Sequence, residues 1–170
     1  MNISPERLAD HLAKGLSALY VVYGDEPLIA IETADNLRQA ARAAGYTERN
    51  VHTVQGRYNW NTIFASSDNL SLFAERRLLE IHIPSGKPGV EGGKALETFA
   101  QALPTDTVSL ITLQGIDWRS TQSRWFMALV AAGTVIEAKP VERDALPAWM
   151  ARRLAKHGLN AERDALQMLA

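Results

Sequence analysis

The stretch LYVVYGDEPL, at residues 19–28, joins a short apolar segment to the start of an amphipathic one. Its first five residues are aromatic, β-branched or leucine, which is typical of a parallel strand covered on both faces. From Glu26 to Ala44 the apolar residues recur at steps of three and four, which predicts a helix that ends before Gly45. The stretch therefore predicts one β-α unit of a parallel sheet.

The same alternation between a strand-like apolar run and a helix-like apolar pattern continues as far as residue 140. The predicted elements are strands at residues 50–54, 78–83, 107–113 and 134–138, and helices at residues 60–67, 94–103 and 121–132. The glycine-rich stretch 86–93 is predicted as a loop. Strands separated by helices favour right-handed crossovers. The predicted fold class is therefore α/β, with a five-stranded, mostly parallel sheet flanked by helices.

The pattern changes after the last predicted strand. Pro140 and Pro147 interrupt the chain, and two helical patterns follow, the second from Arg163. We therefore expect a first domain at residues 1–140. Residues 141–170 would begin a helical domain that continues beyond this sequence.

Composition narrows the classes of function. The chain has 18 Lys and Arg against 19 Asp and Glu, without the basic stripe of a dedicated nucleic-acid binder. It has no cysteine, which excludes disulfides, thiolate metal sites and a cysteine nucleophile and agrees with a cytoplasmic location. No apolar run is long enough to cross a membrane, so we expect a cytoplasmic protein.

The turn after the first predicted strand is where a parallel sheet would bind a nucleotide. A P-loop there needs a lysine, a hydroxyl and a second glycine, and the turn from Gly24 to Leu28 has none of these. It carries Asp25 and Glu26 instead, which would repel phosphate oxygens. The sequence predicts a degenerate nucleotide site, in which Asp25 caps the following helix and Glu26 complements its dipole.

Other catalytic or metal-binding patterns receive little support. The four histidines do not have a metal-ligand spacing, and no G-x-S-x-G elbow is present. Glu80 and His82 alternate with apolar residues on a predicted strand, so they could form a polar pair, although a solvated or salt-bridged face is the simpler interpretation. We expect no catalytic residue, no cofactor and no metal ion.

Leu70, Leu72 and Phe73 lie between polar neighbours, where a predicted helix joins a predicted strand. One interpretation places all three in the core, and the residues by themselves favour it. The other treats the adjacent Leu72–Phe73 pair as an exposed anchor that fills a pocket on a partner.

The order of several motifs resembles one known family. The motifs are SPERL at residues 4–8, the stretch 15–28, LSLF at residues 70–73, Trp125-Phe126, and LPAW at residues 146–149. Their spacing is similar to that of the delta subunits of the bacterial DNA polymerase III clamp loader, and the resemblance extends over essentially the whole chain.

The resemblance implies an AAA+ (RecA-like) domain that has lost its ATP site, followed by the first part of a helical lid domain. It implies a non-catalytic subunit, without an ATPase or polymerase site, that binds and opens the beta sliding clamp for loading onto primed DNA during replication. Leu72 and Phe73 would enter a hydrophobic pocket of the clamp, with Leu70 as an accessory contact. Asp68 stands where a member of the family carries glutamine, so the polar contacts around the pair would differ.

The resemblance also implies the other clamp-loader subunits as partners, through regions largely absent from this sequence, and primed DNA only within the complex. Two alternatives remain. A P-loop-like ATPase with an unusual site is disfavoured by the missing lysine. A DNA-binding adaptor would use Arg152, Arg153, Lys156 and Arg163, for which a solvated helix face is the simpler interpretation.

Overall fold

The computed structural model of the chain describes residues 1–63 and 76–169. These residues form two compact units, Met1–Ala138 and Lys139–Ala170. The described part of the first unit contains one sheet, in which every pair of neighbouring strands is parallel. Its strands are β1 (Asn2–Ile3), β2 (Leu19–Gly24), β3 (Glu48–Thr53), β4 (Arg77–Ile83), β5 (Thr107–Gln114) and β6 (Thr134–Ala138), in the order β1-β6-β2-β5-β4-β3.

The predicted strand count of five was too low by one, because the described sheet has six strands. The additional strand, β1, has two residues and pairs with Val135 and Ile136 at the edge of the sheet. The terminal amino group of Met1 also donates a hydrogen bond to the Gly133 carbonyl at 2.7 Å. Two residues are too few to show an alternating pattern, so periodicity could not reveal this strand.

The described helices of the first unit connect these strands. They are α1 (Leu8–Leu12), α2 (Pro27–Ala43), α3 (Gly89–Gln101), α4 (Trp118–Thr121) and α5 (Arg124–Ala132), preceded by a 3₁₀ turn at Pro5–Arg7. α4 and α5 replace the single predicted helix 121–132. The described residues of the predicted helix 60–67 include a helical turn at 61–63.

The start of α2 differs from the prediction that Asp25 caps it. Glu26 occupies the N-cap position without a side-chain capping bond, and Pro27 follows at the first helical position. Proline lacks an N–H group and already has a helical φ angle, so it begins the helix without a side-chain acceptor.

The prediction of a loop at 86–93 was wrong over its second half, because α3 begins at Gly89. A Cβ atom at Gly92 would lie 2.4 Å from the Trp60 ring, and one at Gly93 would lie 3.2 Å from the Trp125 ring. These two glycines therefore let the helix approach two tryptophan rings closely. The packing offsets the low helix propensity of glycine.

Both faces of the central strands are covered by hydrophobic side chains. On one face, strand residues such as Val21, Ile81 and Ile111 form a core with α3 and α5, whose predicted inward residues Trp125, Phe126 and Leu129 are all buried. On the other face, α2 packs on β2, β5 and β6 through its own buried residues. The central strands are thus covered on both sides, as their continuous apolar runs predict.

The second unit contains a 3₁₀ turn at Arg143–Ala145 and two helices, α6 (Leu146–Lys156) and α7 (Arg163–Leu169), which contact each other. In α6 the Arg153 guanidinium lies 4.5 Å from the centre of the Trp149 ring, one helical turn away. Among the helices that the structure describes, none has the length and apolar character needed to span a bilayer.

Candidate functional site

The turn after β2 is shaped by its contact with the end of β6. Gly24 has a φ of +132°, and a Cβ atom there would lie 2.2 Å from the carbonyl oxygen of Ala138. That oxygen also accepts a hydrogen bond from the Glu26 backbone N–H at 3.3 Å. A glycine is required at this position because the two main chains lie too close together for a side chain. A P-loop glycine has a different role, since it lets backbone amides surround a phosphate.

The side chains of this turn offer no phosphate-binding chemistry of their own. Asp25 and Glu26 follow the carboxyl end of β2, where a P-loop would place backbone amides and a lysine. One backbone amide of the turn, that of Glu26, already donates to Ala138. The residues at this turn therefore place negative charge where a nucleoside triphosphate would bring more of it.

The predicted partner-binding residues Leu70, Leu72 and Phe73 lie outside the described residues, as does Asp68. The structure does describe the residues on both sides of this segment, which is defined here as residues 64–75. Ile63 precedes it and is buried, and Arg76 follows it directly before β4.

The residues before segment 64–75 are joined to the core by an aromatic group, which consists of the side chains of His52, Tyr58 and Trp60. The Tyr58 hydroxyl lies 2.7 Å from His52 Nδ1 and 3.1 Å from the Thr62 hydroxyl. The Tyr58 ring meets Trp60 edge-on at 5.5 Å, and Trp60 is buried against Gly92 of α3. Burial lowers the pKa of His52, which favours the neutral ring in this group.

A groove of about 460 Å³ lies between this aromatic group and α3. Its lining is mixed in character and consists of Tyr58, Asn59, Trp60, Asn61, Glu91, Lys94, Ala95 and Thr98. A positive and a negative side chain lie at the same wall, so the groove does not select one sign of ligand charge.

The C-terminal side of the segment is fixed by two arginines. Arg76 donates from Nη1 to the Ala44 carbonyl at 2.9 Å. Arg77 donates from Nε to the Glu48 carboxylate at 3.0 Å, and its backbone N–H donates to Asp106 at 3.0 Å. The described residues that follow segment 64–75 are therefore held by the body of the first unit.

The turn at Gly24 and the residue Arg76 lie at opposite edges of the sheet, at the carboxyl and the amino ends of its strands. β2 and β4 both run parallel to β5, so the end of one strand and the start of the other lie at opposite edges. The turn at Gly24 follows the end of β2, and Arg76 precedes the start of β4. A partner bound next to Arg76 would thus leave the edge that carries Gly24 free.

Glu80 is the centre of a buried ion cluster that joins α2, β3 and β4. Its side chain is fully buried. Arg38 donates to its carboxylate at 2.8, 3.0 and 3.1 Å, Arg49 lies within hydrogen-bonding distance, and His82 Nε2 lies 3.2 Å away. Of the two interpretations of Glu80 and His82, the salt-bridged face holds for Glu80, which is buried and ion-paired with Arg38 rather than solvated, and the polar contact with His82 is present as well.

The charges of this cluster compensate one another, because Asp35 forms a second ion pair with Arg38 at 2.6 Å. Burial alone would raise the pKa of Glu80, but hydrogen bonds from His82, Arg38 and Arg49 hold it well below its usual range. The other ring nitrogen of His82 is hydrogen-bonded to Thr112. We therefore assign the cluster a structural role. In the ranges 1–63 and 76–169, no group of three or more His, Cys, Asp or Glu residues has an arrangement that could hold a metal ion.

Arg38 and Arg49 were missed by reasoning from sequence. They lie on different elements from Glu80, 42 and 31 residues away from it. No local spacing links three residues that only the sheet topology brings together, so the sequence carried no signal for this cluster.

Comparison with known proteins relates the chain to one family. The model of the family described as "DNA polymerase III, delta subunit" matches residues 20–139. The DNA polymerase III subunit delta of Escherichia coli K12 is 29% identical over 169 residues, which are 99% of this chain and 49% of that protein. The Haemophilus influenzae subunit is 28% identical over 170 residues, with 98% and 49% covered. The chain spans about half the length of these curated relatives.

Solved structures show the same fold at lower sequence identity. The Bacillus subtilis DNA clamp loader delta protein aligns with a TM-score of 0.72 at 19% identity, covering 97% of this chain and 51% of that one. The Aeropyrum pernix ORC2 protein aligns with a TM-score of 0.52 at 15% identity, with 89% and 50% covered. These similarities confirm the predicted α/β fold class, an AAA+-like parallel sheet flanked by helices.

Proposed function

Because this chain belongs to the DNA polymerase III delta subunit family, we propose that it forms the clamp-binding part of a clamp-loader subunit. In this proposal the chain binds the beta sliding clamp and favours an open form of the ring for loading onto primed DNA. The observation that carries the proposal is the family match over residues 20–139, which spans the sheet from β2 to the end of β6.

The proposed contact residues are Leu72 and Phe73, with Leu70 beside them. Burial of a leucine or phenylalanine side chain contributes about 1.5–3 kcal/mol, so two adjacent side chains in one pocket can dominate an interface. Support for this assignment comes from the resemblance of the LSLF motif at residues 70–73 to the same motif of the family.

Clamp opening requires that the chain bind the two forms of the clamp with different affinity. A ligand shifts an equilibrium only by the ratio of its affinities for the two states. The Leu72–Phe73 pair would therefore fit a pocket whose shape in the open clamp accepts it better than in the closed clamp. No chemical step on the chain itself is needed.

The proposed role is non-catalytic. ATP hydrolysis would belong to other loader subunits, which we propose as partners together with the clamp. Support comes from the carboxylates at Asp25 and Glu26 and from the main-chain contact that fills the space beside Gly24. DNA would be met only within the assembled loader, in the cytoplasm where replication takes place.

A pull-down of the clamp tests this proposal. The variant Leu72→Ala with Phe73→Ala should lose clamp binding while its thermal unfolding stays unchanged, because the pair would contact the partner. The matched control is Trp118→Ala, which removes an exposed apolar side chain at the start of α4 and should bind the clamp normally. Undiminished clamp binding by the Leu72–Phe73 variant would contradict the proposal.

A further inference from the structure

The groove between the aromatic group and α3 has one wall that a directed chain of hydrogen bonds holds in place. The Thr62 hydroxyl donates its only hydrogen to the Asn59 carbonyl at 2.8 Å. Thr62 therefore accepts from the Tyr58 hydroxyl, which leaves Tyr58 as the acceptor of a hydrogen from His52 Nδ1. The chain runs from β3 to Asn59 with every hydrogen assigned, so this wall is already ordered without a ligand.

The other wall of the groove is one face of α3. The residues that line it stand at the spacing i, i+3, i+4 and i+7 along the helix: Glu91, Lys94, Ala95 and Thr98. Ala95 and the buried Trp60 ring contribute the apolar part of the lining. Seven residues of helix rise by about 10 Å, which is the length of about three residues of an extended chain.

The groove also contains polar side chains that are available to a ligand. Among the residues that the structure describes, no hydrogen bond or ion pair engages the side chains of Asn61, Glu91 and Lys94. Asn61 offers donors and an acceptor, Glu91 offers acceptors, and Lys94 offers donors. The two charges cancel, so the groove combines donors and acceptors of hydrogen bonds without a net charge.

This combination fits a peptide main chain better than a phosphate or an apolar molecule. A phosphate requires a surplus of positive charge or free backbone amides. An apolar molecule would displace water from the polar side chains without giving them partners. A main chain is neutral, and each residue carries one donor and one acceptor. We propose that the groove binds an extended, uncharged peptide segment of a partner protein, about three residues long, whose middle side chain is apolar and packs on Trp60 and Ala95. This inference goes beyond the proposed clamp contact and does not depend on it.

A nuclear magnetic resonance titration of the isotope-labelled full chain tests the proposal, with the blocked tripeptide acetyl-Gly-Leu-Gly-amide as the probe. The backbone amide signals of Asn61, Ala95 and Thr98 should shift and saturate with a dissociation constant of about 1 mM, because a ligand with so few contacts binds weakly. ATP at the same concentrations should leave these signals unchanged. Saturation by ATP but not by the peptide, or no saturation by the peptide up to about 10 mM, would overturn the inference.

Two variants identify the side chains that bind the peptide. Asn61→Ala and Lys94→Ala should each raise the dissociation constant about three- to tenfold, because each removes one hydrogen bond to the ligand. Both residues are exposed, so thermal unfolding should stay unchanged. The matched controls are Gln101→Ala, at the exposed end of α3, and Arg119→Ala, at an exposed position of α4. Equal losses in the controls, or unchanged peptide affinity in both groove variants, would contradict the assignment.

Discussion

At the scale of single residues, the buried carboxylate of Glu80 contributes to the stability of the sheet through its charged partners. Glu80 lies on β4 between Arg38 of α2 and Arg49 of β3, with His82 on the same face of its own strand. The alternation of Glu80 and His82 along the strand placed the two on one face and allowed a polar pair or a salt-bridged face. Their arginine partners could not be predicted, because only the folded sheet brings residues from three elements to one carboxylate.

Replacement of Glu80 by glutamine should destabilise the chain by about 1–3 kcal/mol, because Arg49 loses its carboxylate partner and Arg38 keeps only the exposed Asp35. Urea unfolding measures this change. The control Glu91→Gln, at an exposed position of α3, should stay within about 0.5 kcal/mol of the unmodified chain.

The cost of Glu80→Gln should also depend on pH. Hydrogen bonds hold the folded pKa of Glu80 below its ordinary value of 4.5, so its contribution is present above that pH and is lost as the pH falls further. The difference in unfolding free energy between the two proteins should therefore shrink in acid. A difference that stayed constant from pH 7 to pH 3 would contradict this assignment.

At the scale of elements, helix α3 depends on two tryptophans that are distant in sequence. The Gly92→Ala change would normally favour a helix by about 1 kcal/mol. Here the new Cβ would lie 2.4 Å from the Trp60 ring, so the chain should lose about 1–3 kcal/mol in urea unfolding. The control Lys94→Ala, at an exposed position of the same helix, should have little effect. A more stable Gly92→Ala variant would show that Trp60 does not limit the approach of α3.

The same helix shows which parts of the fold a sequence can predict. Elements with long apolar patterns, such as β2, α2 and β5, lie close to their predicted positions because their periodicity reports burial directly. The glycines of α3 predicted a loop, because local propensity does not record that Trp60 and Trp125 fill the space beside them. The two-residue β1 was missed because it is defined only by its partner strand.

At the scale of the whole molecule, Gly24 and Arg76 lie at opposite ends of the parallel strands of the first unit. The turn at Gly24, where an AAA+ relative would bind nucleotide, lies at the carboxyl ends of the strands, and Arg76 lies at their amino ends. The family could be predicted from sequence. Binding through Leu70, Leu72 and Phe73 stays a prediction, because residue chemistry alone favoured the core and only the resemblance assigned these residues to a partner.

Energy transfer between two dyes placed across one subunit interface of the clamp tests the central claim of clamp opening most directly. Addition of the chain should lower the transfer efficiency, because the chain would bind the open form more tightly than the closed form. The Leu72→Ala, Phe73→Ala variant should leave the efficiency unchanged. Tight binding of the unmodified chain with no change in transfer efficiency would contradict the account.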